Sequence, residues 1–569
     1  MTEVFAAKEY PPEQSIKLNG PPGTGKTTQL LARLTSLFDQ GHSVDDVTFV
    51  TYRKDMAMEF LTRLHEEGYL DDGWDEEPWK GDTELYGTIH AVCKRLGPQA
   101  AVAQKQDRKD FISRSFAVEH GGPEDIVDSM FAAYDYAIQN GIEVLEASPD
   151  WGEVNARLTQ TPTFDELHTA WTAYMRSPPG DKDALIDFPN MLRNVYENEI
   201  TPSNDILVVD EYHDMSPIMA SISEMWMENH DIVIVAGDPL QSIYSHQGAD
   251  PSFFTSLDLP EVLLDRTYRV PSRLWEFARG LLDQDPPDVT PHNEGGRLYN
   301  TKTTDPTTVV ETQGHDSTMF IARHRWIARS MANDLMRNGI IYRSQKGMGG
   351  WDQSPKRLAL YNALQKLSGV SPQRGVNPKT GQTGLSRYET DAIQEVTTQP
   401  SSISLTETEL TALLEKTPAE HIDGTKKSAV AWARAKSGVS GADLVPKVTP
   451  SFWDTMTLGD ESVTNLLTFD GKQAIASALR RYDRPFEDIR SAPVPDVQTI
   501  HASKGQEAET VVIADGISSA VQRKVDMGGS GAEEEARVWY VGCTRASETL
   551  IQLGGYWGEY DNAYLFDST

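Results

Sequence analysis

A glycine-rich segment near the beginning of the sequence has the residue types and the spacing of a phosphate-binding loop. It reads Gly20-Pro21-Pro22-Gly23-Thr24-Gly25-Lys26-Thr27 and fits G-x-x-x-x-G-K-[ST]. A short apolar run precedes it, and leucines at helical spacing follow it. In a strand, loop, helix context, backbone N–H groups close on phosphates, Lys26 reaches the terminal phosphates, and the Thr27 hydroxyl holds magnesium. The segment therefore predicts a site for ATP and Mg²⁺.

Two later apolar runs end in acidic residues. The run 206–209 leads directly into Asp210 and Glu211, and the run 232–236 leads into Gly237 and Asp238. Parallel α/β folds place their sites at the carboxyl ends of strands. We expect Asp210 to hold the magnesium ion through water and Glu211 to orient and deprotonate a water that attacks the γ-phosphate.

Length and composition limit the class of protein. The chain has 569 residues and a mass of 63.2 kDa, enough for about three or four domains. No run reaches the ~18 apolar residues of a membrane span, and the first residues lack the layout of a secretory signal. Two cysteines, Cys93 and Cys543, are too few for a disulfide framework. We expect a cytoplasmic protein.

The charge balance is strongly acidic. The formal net charge is -33, from 85 acidic and 52 basic residues, and such a surplus by itself argues against a polyanionic partner. The surplus is spread along the chain, a pattern typical of adaptation to concentrated salt, where charges are screened within about 3 Å at 1 M. We therefore expect a salt-loving source, such as a halophilic archaeon or its virus.

Five segments carry further motifs, and together with the phosphate loop they resemble the UvrD/Rep/PcrA-like branch of superfamily 1 DNA helicases. The residues that carry the resemblance are 210–214 (D-E-x-x-D), 237–244 (G-D-x-x-Q-S-I-Y), 264–269 (the tyrosine-arginine box), 499–507 (T-x-H-x-x-K-G-x-E) and 534–546 (E-E-x-R-x-x-Y-V-x-x-T-R-A).

The resemblance implies an α/β fold. It predicts two RecA-like P-loop domains with parallel sheets, each carrying a largely helical insertion. The expected layout is 1–94 and 191–265 for the first ATPase core, 95–190 for its helical insertion, 266–345 and 491–569 for the second core, and 346–490 for a second insertion whose detailed fold the sequence does not assign.

The resemblance also assigns roles around the nucleotide. Gln241 would sense the γ-phosphate, Tyr268 would stack on adenine, and Glu507 would accept a ribose hydroxyl. Arg269 and Arg545, both expected on a separate domain from Lys26, would stabilise charge on the γ-phosphate. Gln14 is a candidate adenine reader, although it lies closer to the loop than the family's glutamine. The remaining nucleotide contacts expected are Gly20, Gly23, Thr24, Gly25, Lys26, Thr27 and Thr28.

Two early segments resemble family boxes that touch single-stranded DNA. Aromatic rings stack on bases with a worth of about 1–3 kcal/mol each, and Tyr52 is the first stacking candidate, although a lone ring at a strand end is more often core. His246 stands where the family usually has tryptophan, so stacking there should be weaker. The residues expected to contact single-stranded DNA are Tyr52, Arg53, Thr88, His90, His246 and His501.

The segment 343–387 reverses the acidic character of the chain. Its eight basic residues are opposed only by Asp352. Such a stretch is usually a solvated face, but in so acidic a chain it is also a candidate for phosphate contact. We expect Lys346, Lys356 and Arg357 of this segment to contact duplex DNA ahead of the two ATPase domains.

These expectations combine into one function with two alternatives. The resemblance predicts an ATP-dependent DNA helicase that moves 3′ to 5′ on single-stranded DNA and separates strands at single-strand/duplex junctions in repair, recombination or replication. One alternative is a single-strand translocase that displaces proteins but unwinds poorly. The other is a regulatory switch that binds ATP to hold a partner protein, which the complete set of hydrolytic motifs disfavours.

Overall fold

The computed structural model divides the chain into two compact units. The first comprises Met1–Gly295 and Met527–Thr544, and the second comprises Gly296–Asp526 and Arg545–Thr569. The structure describes residues 10–118, 122–140, 161–180, 182–282, 287–301, 306–313, 317–345, 351, 354–367, 403–452, 472–482, 494–554 and 561–562.

The described strands are numbered in chain order. They are β1 (Ile16–Asn19), β2 (Val47–Thr51), β3 (Tyr86–Thr88), β4 (Ala101–Val102), β5 (Leu185–Ile186), β6 (Ile206–Val209), β7 (Ile232–Gly237), β8 (Glu261–Leu263), β9 (Arg266–Thr267), β10 (Thr290–Pro291), β11 (Arg297–Thr301), β12 (Thr318–Ala322), β13 (Arg343–Ser344), β14 (Ser404–Leu405), β15 (Val439–Ser440), β16 (Asp496–Thr499), β17 (Ala508–Ala514), β18 (Ile517–Ser518), β19 (Ala546–Leu553) and β20 (Asp561–Asn562).

The described α-helices are numbered in the same way. They are α1 (Lys26–Phe38), α2 (Lys54–Glu66), α3 (Ile89–Leu96), α4 (Lys105–Ser115), α5 (Pro123–Gln139), α6 (Phe164–Arg176), α7 (Phe188–Glu197), α8 (Pro217–Met227), α9 (Ser252–Ser256), α10 (Ser272–Arg279), α11 (Pro306–Gln313), α12 (Arg325–Arg337), α13 (Pro355–Leu367), α14 (Glu407–Lys416), α15 (Lys426–Arg434), α16 (Gly441–Leu444), α17 (Lys472–Arg481), α18 (Ile500–Ser503), α19 (Ser519–Asp526) and α20 (Ser530–Cys543).

Each unit contains one six-stranded sheet in which every described pairing is parallel. The order is β3-β2-β6-β7-β1-β8 in the first unit and β11-β19-β17-β12-β16-β13 in the second. The central strands are continuous apolar runs, and every residue of β6 and β7 is buried. Such runs are typical of parallel strands that helices cover on both faces.

The described part of the first insertion is helical. Helices α4, α5 and α6 pack around the rings of Phe111, Phe131 and Trp171. Helix α6 begins at a capping box formed by Thr163 and Glu166, which satisfies backbone groups that the first turn leaves unpaired. The second insertion contains α13 to α17 and the short antiparallel pair β14–β15 in its described part.

The structure confirms the predicted fold class of two RecA-like α/β domains with parallel sheets. The contact-defined units differ from the expected layout in two places. Residues 266–295 and the segment Met527–Thr544, which includes α20, group with the first sheet and not with the second. The cause is packing: the segment after β8 lies on the phosphate loop, and α20 packs on α10 and on the turn after β7.

Candidate active site and nucleic-acid interface

The phosphate loop connects β1 to α1 and has two glycines in the left-handed region. The φ angles are 73° at Gly23 and 82° at Gly25, values that side chains rarely adopt. The Lys26 ammonium donates a hydrogen bond of 2.6 Å to the Gly20 carbonyl, and the Thr24 hydroxyl donates to the Pro21 carbonyl at 2.8 Å. These contacts hold the loop folded at the carboxyl end of β1.

The predicted carboxylate pair lies at the end of β6. Asp210 is buried, and its carboxylate accepts the backbone N–H of Glu211 at 2.9 Å. Burial and the neighbouring Glu211 raise the pKa of Asp210, while Lys26 acts in the opposite direction. Glu211 itself has φ 56° and ψ 38°, a left-handed backbone that is strained for a side chain of this kind.

The end of the neighbouring strand β7 supplies a second polar group. Asp238 is buried, which raises its pKa, and Lys26 again opposes the shift. The Gln241 amide, in the turn Pro239–Gln241, donates to the Asp238 carboxylate at 2.7 Å. The predicted γ-phosphate sensor is therefore held on the same strand edge as Asp210 and Glu211, whose strand pairs directly with β7.

The donor set at this edge suits magnesium. A buried carboxylate with a raised pKa is stabilised by a nearby cation, and Mg²⁺ prefers carboxylate, hydroxyl and water oxygens. Asp210 and the Thr27 hydroxyl would hold the ion, which when bound neutralises charge on the phosphates.

The tyrosine-arginine box packs on the phosphate loop. The Thr267 hydroxyl donates to the Pro22 carbonyl at 2.7 Å, and the Tyr268 N–H donates to the Gly23 carbonyl at 2.9 Å. The Tyr268 ring lies 5.1 Å from the ring of His292. Arg269 was predicted on a separate domain from Lys26, and here it belongs to the same unit, because its segment continues from β8 across the loop.

The remaining nucleotide residues of the first unit lie beside the loop. Gln14 is exposed, and its carbonyl accepts a 2.7 Å hydrogen bond from Arg33. The Thr28 hydroxyl accepts a 3.4 Å hydrogen bond from Arg63.

The second unit holds the other predicted nucleotide residues. Arg545 is 1% exposed, and its guanidinium donates to the Gln506 carbonyl at 3.3 Å. Glu507 is exposed and directly precedes β17. His501 lies on the one-turn helix α18, whose first turn is capped by the Thr499 hydroxyl.

Tyr52 follows β2 and stacks on Tyr244. The ring centroids are 5.0 Å apart and the planes differ by 28°. The Tyr52 hydroxyl donates to the Gln247 amide oxygen at 2.6 Å. Arg53 hydrogen-bonds Tyr244 and forms an ion pair with Asp55. The ring predicted to stack on DNA is thus tied to the segment that carries Gln241 and His246, and the His246 side chain lies outside the described part.

The second predicted DNA box surrounds the beginning of α3. The Thr88 hydroxyl caps this helix by accepting the Ala91 N–H at 3.2 Å. The His90 ring is partly exposed but buries Nε2, and burial lowers its pKa to about 4. Phe188, the first residue of α7, lies edge-on to His90 with centroids 5.8 Å apart, and it is 56% exposed.

Phe188 is a candidate that sequence reasoning missed. The signal was present in the order Asp187-Phe188-Pro189, because the aspartate caps α7 and proline starts the helix, which leaves the ring between them on the first turn. A large exposed ring beside a predicted DNA residue is a candidate base contact.

The predicted duplex contacts are only partly described. Lys356 forms an ion pair of 3.5 Å with Glu415, and the Arg357 guanidinium lies 5.9 Å from the centre of the Trp351 ring. Lys366 pairs with Glu409 at 2.8 Å. Lys346 lies outside the described residues. The charges of Lys356 and Lys366 are therefore offset by carboxylates from another part of the second unit.

Helix α20 contacts the sensor segment, a role that sequence reasoning did not assign. Arg537 donates to the Ser242 carbonyl at 3.1 Å, and Glu534 accepts a hydrogen bond from the Ser245 hydroxyl. Both residues belong to the E-E-x-R box. They fix the ends of the turn that carries Tyr244.

Comparison with known proteins gives a consistent result. An AAA domain model matches residues 4–247, and a UvrD-like helicase C-terminal domain model matches residues 471–552. "ATP-dependent DNA helicase UvrD2" of Mycobacterium tuberculosis is 27% identical over 299 residues, which are 46% of this chain and 40% of the relative. "ATP-dependent DNA helicase srs2" of Schizosaccharomyces pombe is 24% identical over 322 residues, or 48% of this chain and 34% of the relative.

The chain spans about two fifths or less of the length of these relatives. Among the helices that the structure describes, none combines the length and the apolar character needed to cross a bilayer. The two family models lie on the two ends of the chain, and each includes motifs whose geometry is described above. These matches support a UvrD-like superfamily 1 helicase as the kind of protein that this chain resembles.

Proposed function

We propose that this chain is an ATP-dependent DNA helicase that translocates on single-stranded DNA. One observation carries the proposal: the phosphate loop, the buried pair Asp210 and Glu211, and Gln241 lie at one edge of a single parallel sheet. These are the residue types that bind a nucleotide's phosphates and activate water for hydrolysis. The named activity of the relatives supports DNA as the polymer on which the hydrolysis acts.

Each residue of the set has a role in hydrolysis. Lys26 binds the terminal phosphates, and its hydrogen bond to Gly20 shows that its ammonium reaches back along the loop. Glu211 orients the attacking water and takes its proton. Gln241 contacts the γ-phosphate, and the guanidinium groups of Arg269 and Arg545 stabilise the charge that develops there.

The proposed single-strand contact is a group of rings in the first unit. Tyr52 and Tyr244 form a stacked pair beside the sensor segment, and Phe188 presents a ring to solvent beside His90. Rings bind bases through their faces without reading sequence. Because Tyr244 is three residues after Gln241, a base that displaces either ring acts directly on the segment that senses the nucleotide.

The direction of movement and the duplex contact complete the proposal. Movement from 3′ to 5′ rests on the family resemblance. Contact of 343–387 with duplex DNA rests on its basic composition, and the partners of Lys356 and Lys366 argue that this contact is weaker than the sequence alone indicates.

The decisive experiment is steady-state ATP hydrolysis with and without single-stranded DNA, across KCl from about 0.1 M to the multimolar range, because salt weakens phosphate contacts. We expect strong stimulation by single strands. Unwinding of 3′-tailed and 5′-tailed duplexes then separates a helicase from a translocase. Hydrolysis that ignores DNA at every salt concentration would contradict the proposal and favour the regulatory switch.

A further inference from the structure

His213 is a fully buried residue two positions after Glu211, in the single turn Tyr212–Asp214. Its Nδ1 atom accepts the backbone N–H of Asp238 at 2.9 Å. A nitrogen that accepts a hydrogen bond contributes its lone pair, so the proton of a neutral ring must be on the other nitrogen. The contact with Asp238 therefore places the proton on Nε2.

The Nε2 atom points to the proposed general base. It lies 3.1 Å from Glu211 Oε2 and 3.7 Å from Asp214 Oδ1. With the proton on Nε2, the N–H edge of the ring lies in close polar contact with the Glu211 carboxylate. Gly237 makes room for this ring, because a Cβ atom there would lie 3.3 Å from Nδ1 and 2.8 Å from the Phe254 ring.

The same three side chains, Glu211, His213 and Asp214, bring their ligand atoms within 4.8 Å of one another, a grouping that a metal ion could use. A metal would need the lone pair of Nε2. The Asp238 N–H already occupies the lone pair of Nδ1, which leaves a proton on Nε2. The geometry therefore favours a polar contact between the Nε2 N–H group and Glu211 over a metal site.

We propose that His213 is a positioning residue for Glu211. It holds the carboxylate in its orientation and connects it to Asp238, the residue that also binds the Gln241 amide. The base and the γ-phosphate sensor are thereby fixed to each other through one ring. The inference rests on the proposed function, in which Glu211 activates the attacking water.

The two contacts of His213 define what a substitute must supply. One group must accept from the Asp238 N–H, and another must present an N–H to the Glu211 carboxylate at about the same distance. A glutamine amide has both an acceptor and a donor at similar reach, whereas leucine has neither, and asparagine is too short to serve both partners.

The test measures kcat and KM for ATP at saturating oligo-dT in the His213→Gln, His213→Leu and His213→Asn variants. Because misplacement of a catalytic group by about 1 Å can cost 10²-fold, we expect kcat to fall about tenfold or more in the leucine and asparagine variants. We expect KM to change less than about threefold, and the glutamine variant to stay within about threefold of wild type in kcat.

A double-mutant cycle separates positioning from a merely structural role. If His213 acts through Glu211, then His213→Leu lowers the rate little further in a Glu211→Gln background. His230 is a matched control: it is also buried, it binds the Trp226 carbonyl through Nδ1 at 2.6 Å, and it lies away from the site. We expect His230→Gln to leave kcat unchanged.

The possible failures are distinguishable. A wild-type rate in Glu211→Gln would overturn the role of the base and with it the proposed mechanism. A slow Glu211→Gln combined with wild-type kcat in folded His213→Leu would overturn the positioning role alone. If the leucine variant does not fold, the asparagine variant decides, and equal losses with asparagine and glutamine would also overturn the inference.

Discussion

Gly23 lies so close to Arg269 that a side chain at position 23 would collide with the Arg269 Cβ atom. A Cβ built on Gly23 would lie 2.3 Å from Arg269 Cβ and 2.9 Å from the Thr267 hydroxyl. The phosphate loop and the tyrosine-arginine box thus touch at a point where only glycine fits. Pro22 and Thr267 are hydrogen-bonded to each other although they lie 245 positions apart in the sequence. Both therefore belong to one site.

We predict that Gly23→Ala impairs nucleotide binding. The substitution combines a φ of 73°, which costs a side chain of order 1–3 kcal/mol, with displacement of Arg269. We expect at least a tenfold weaker Kd for a fluorescent ATP analogue, given that ~1.4 kcal/mol is a factor of ten. Gly41→Ala is the control, because φ is 110° there and nothing lies within 4 Å of the new Cβ. Equal binding by both variants would contradict the prediction.

We predict that Glu211→Gln separates binding from hydrolysis. The amide keeps the size of the side chain but cannot take a proton, so hydrolysis should fall by about two orders of magnitude or more while the ATP analogue still binds. Lys26→Ala should abolish turnover. Glu228→Gln, an exposed substitution at the end of α8, should have no effect on either quantity. Full hydrolysis by Glu211→Gln would exclude Glu211 as the base.

We predict that Tyr52→Ala reduces stimulation of hydrolysis by single-stranded DNA. Loss of one stacking ring is worth about 1–3 kcal/mol, so the oligo-dT concentration for half-maximal stimulation should rise at least fivefold. Tyr52→Phe keeps the ring and removes only the hydrogen bond to Gln247, and it should be close to wild type. Tyr299→Ala removes an exposed ring of the second unit as a control. If the oligo-dT concentration for half-maximal stimulation were unchanged in Tyr52→Ala, Tyr52 would not be part of the DNA interface.

We predict that His90 makes the fold sensitive to acid. Its folded-state pKa of about 4 lies below the ordinary value of 6.5. Between pH 6.5 and pH 4, His90 is therefore protonated in the unfolded chain but neutral in the folded chain. The free energy of unfolding decreases as the pH falls from about 6.5 towards 4. His90→Gln should lose less free energy of unfolding than wild type between pH 7.5 and 5, measured with urea. If the free energy of unfolding of His90→Gln and of wild type changed equally with pH, His90 would not be the source of the acid sensitivity.

We predict that Arg545→Ala lowers kcat by about 10³-fold or more, the effect of removing an arginine that stabilises the γ-phosphate. Because Arg545 is buried and binds the Gln506 carbonyl, the variant should also melt at lower temperature. The wild-type protein is the reference for both kcat and melting temperature. A lower melting temperature with nearly normal kcat would show that Arg545 is only structural.

The parts of the site that the sequence predicted are those fixed by short-range patterns. Lys26, Asp210 and Glu211 follow from loop and strand signatures because the carboxyl ends of neighbouring parallel strands meet at one edge. The fold class followed from the family resemblance that these motifs carry. Those patterns depend on a few consecutive residues, so one sequence is enough to recognise them.

What the sequence did not show depends on contacts between distant segments. The residues around Arg269 do not predict that it packs on Gly23. The residues around Lys356 do not predict its ion pair with Glu415. His213 appears in the sequence only as an unspecified position in D-E-x-x-D, and its role emerges when Asp238 is placed beside it. Thr88 stays a predicted DNA contact, and the structure adds that its hydroxyl accepts the Ala91 N–H as a helix cap.

The left-handed backbone of Glu211 has a consequence for how this protein can be improved. A glycine or an asparagine at this position would relieve strain of order 1 kcal/mol, but would remove the carboxylate. Selection for thermal stability and selection for turnover therefore oppose each other at residue 211. A search for stabilised variants that ignores activity would accept asparagine here, and with Glu211 as the proposed base that variant would lose ATP hydrolysis.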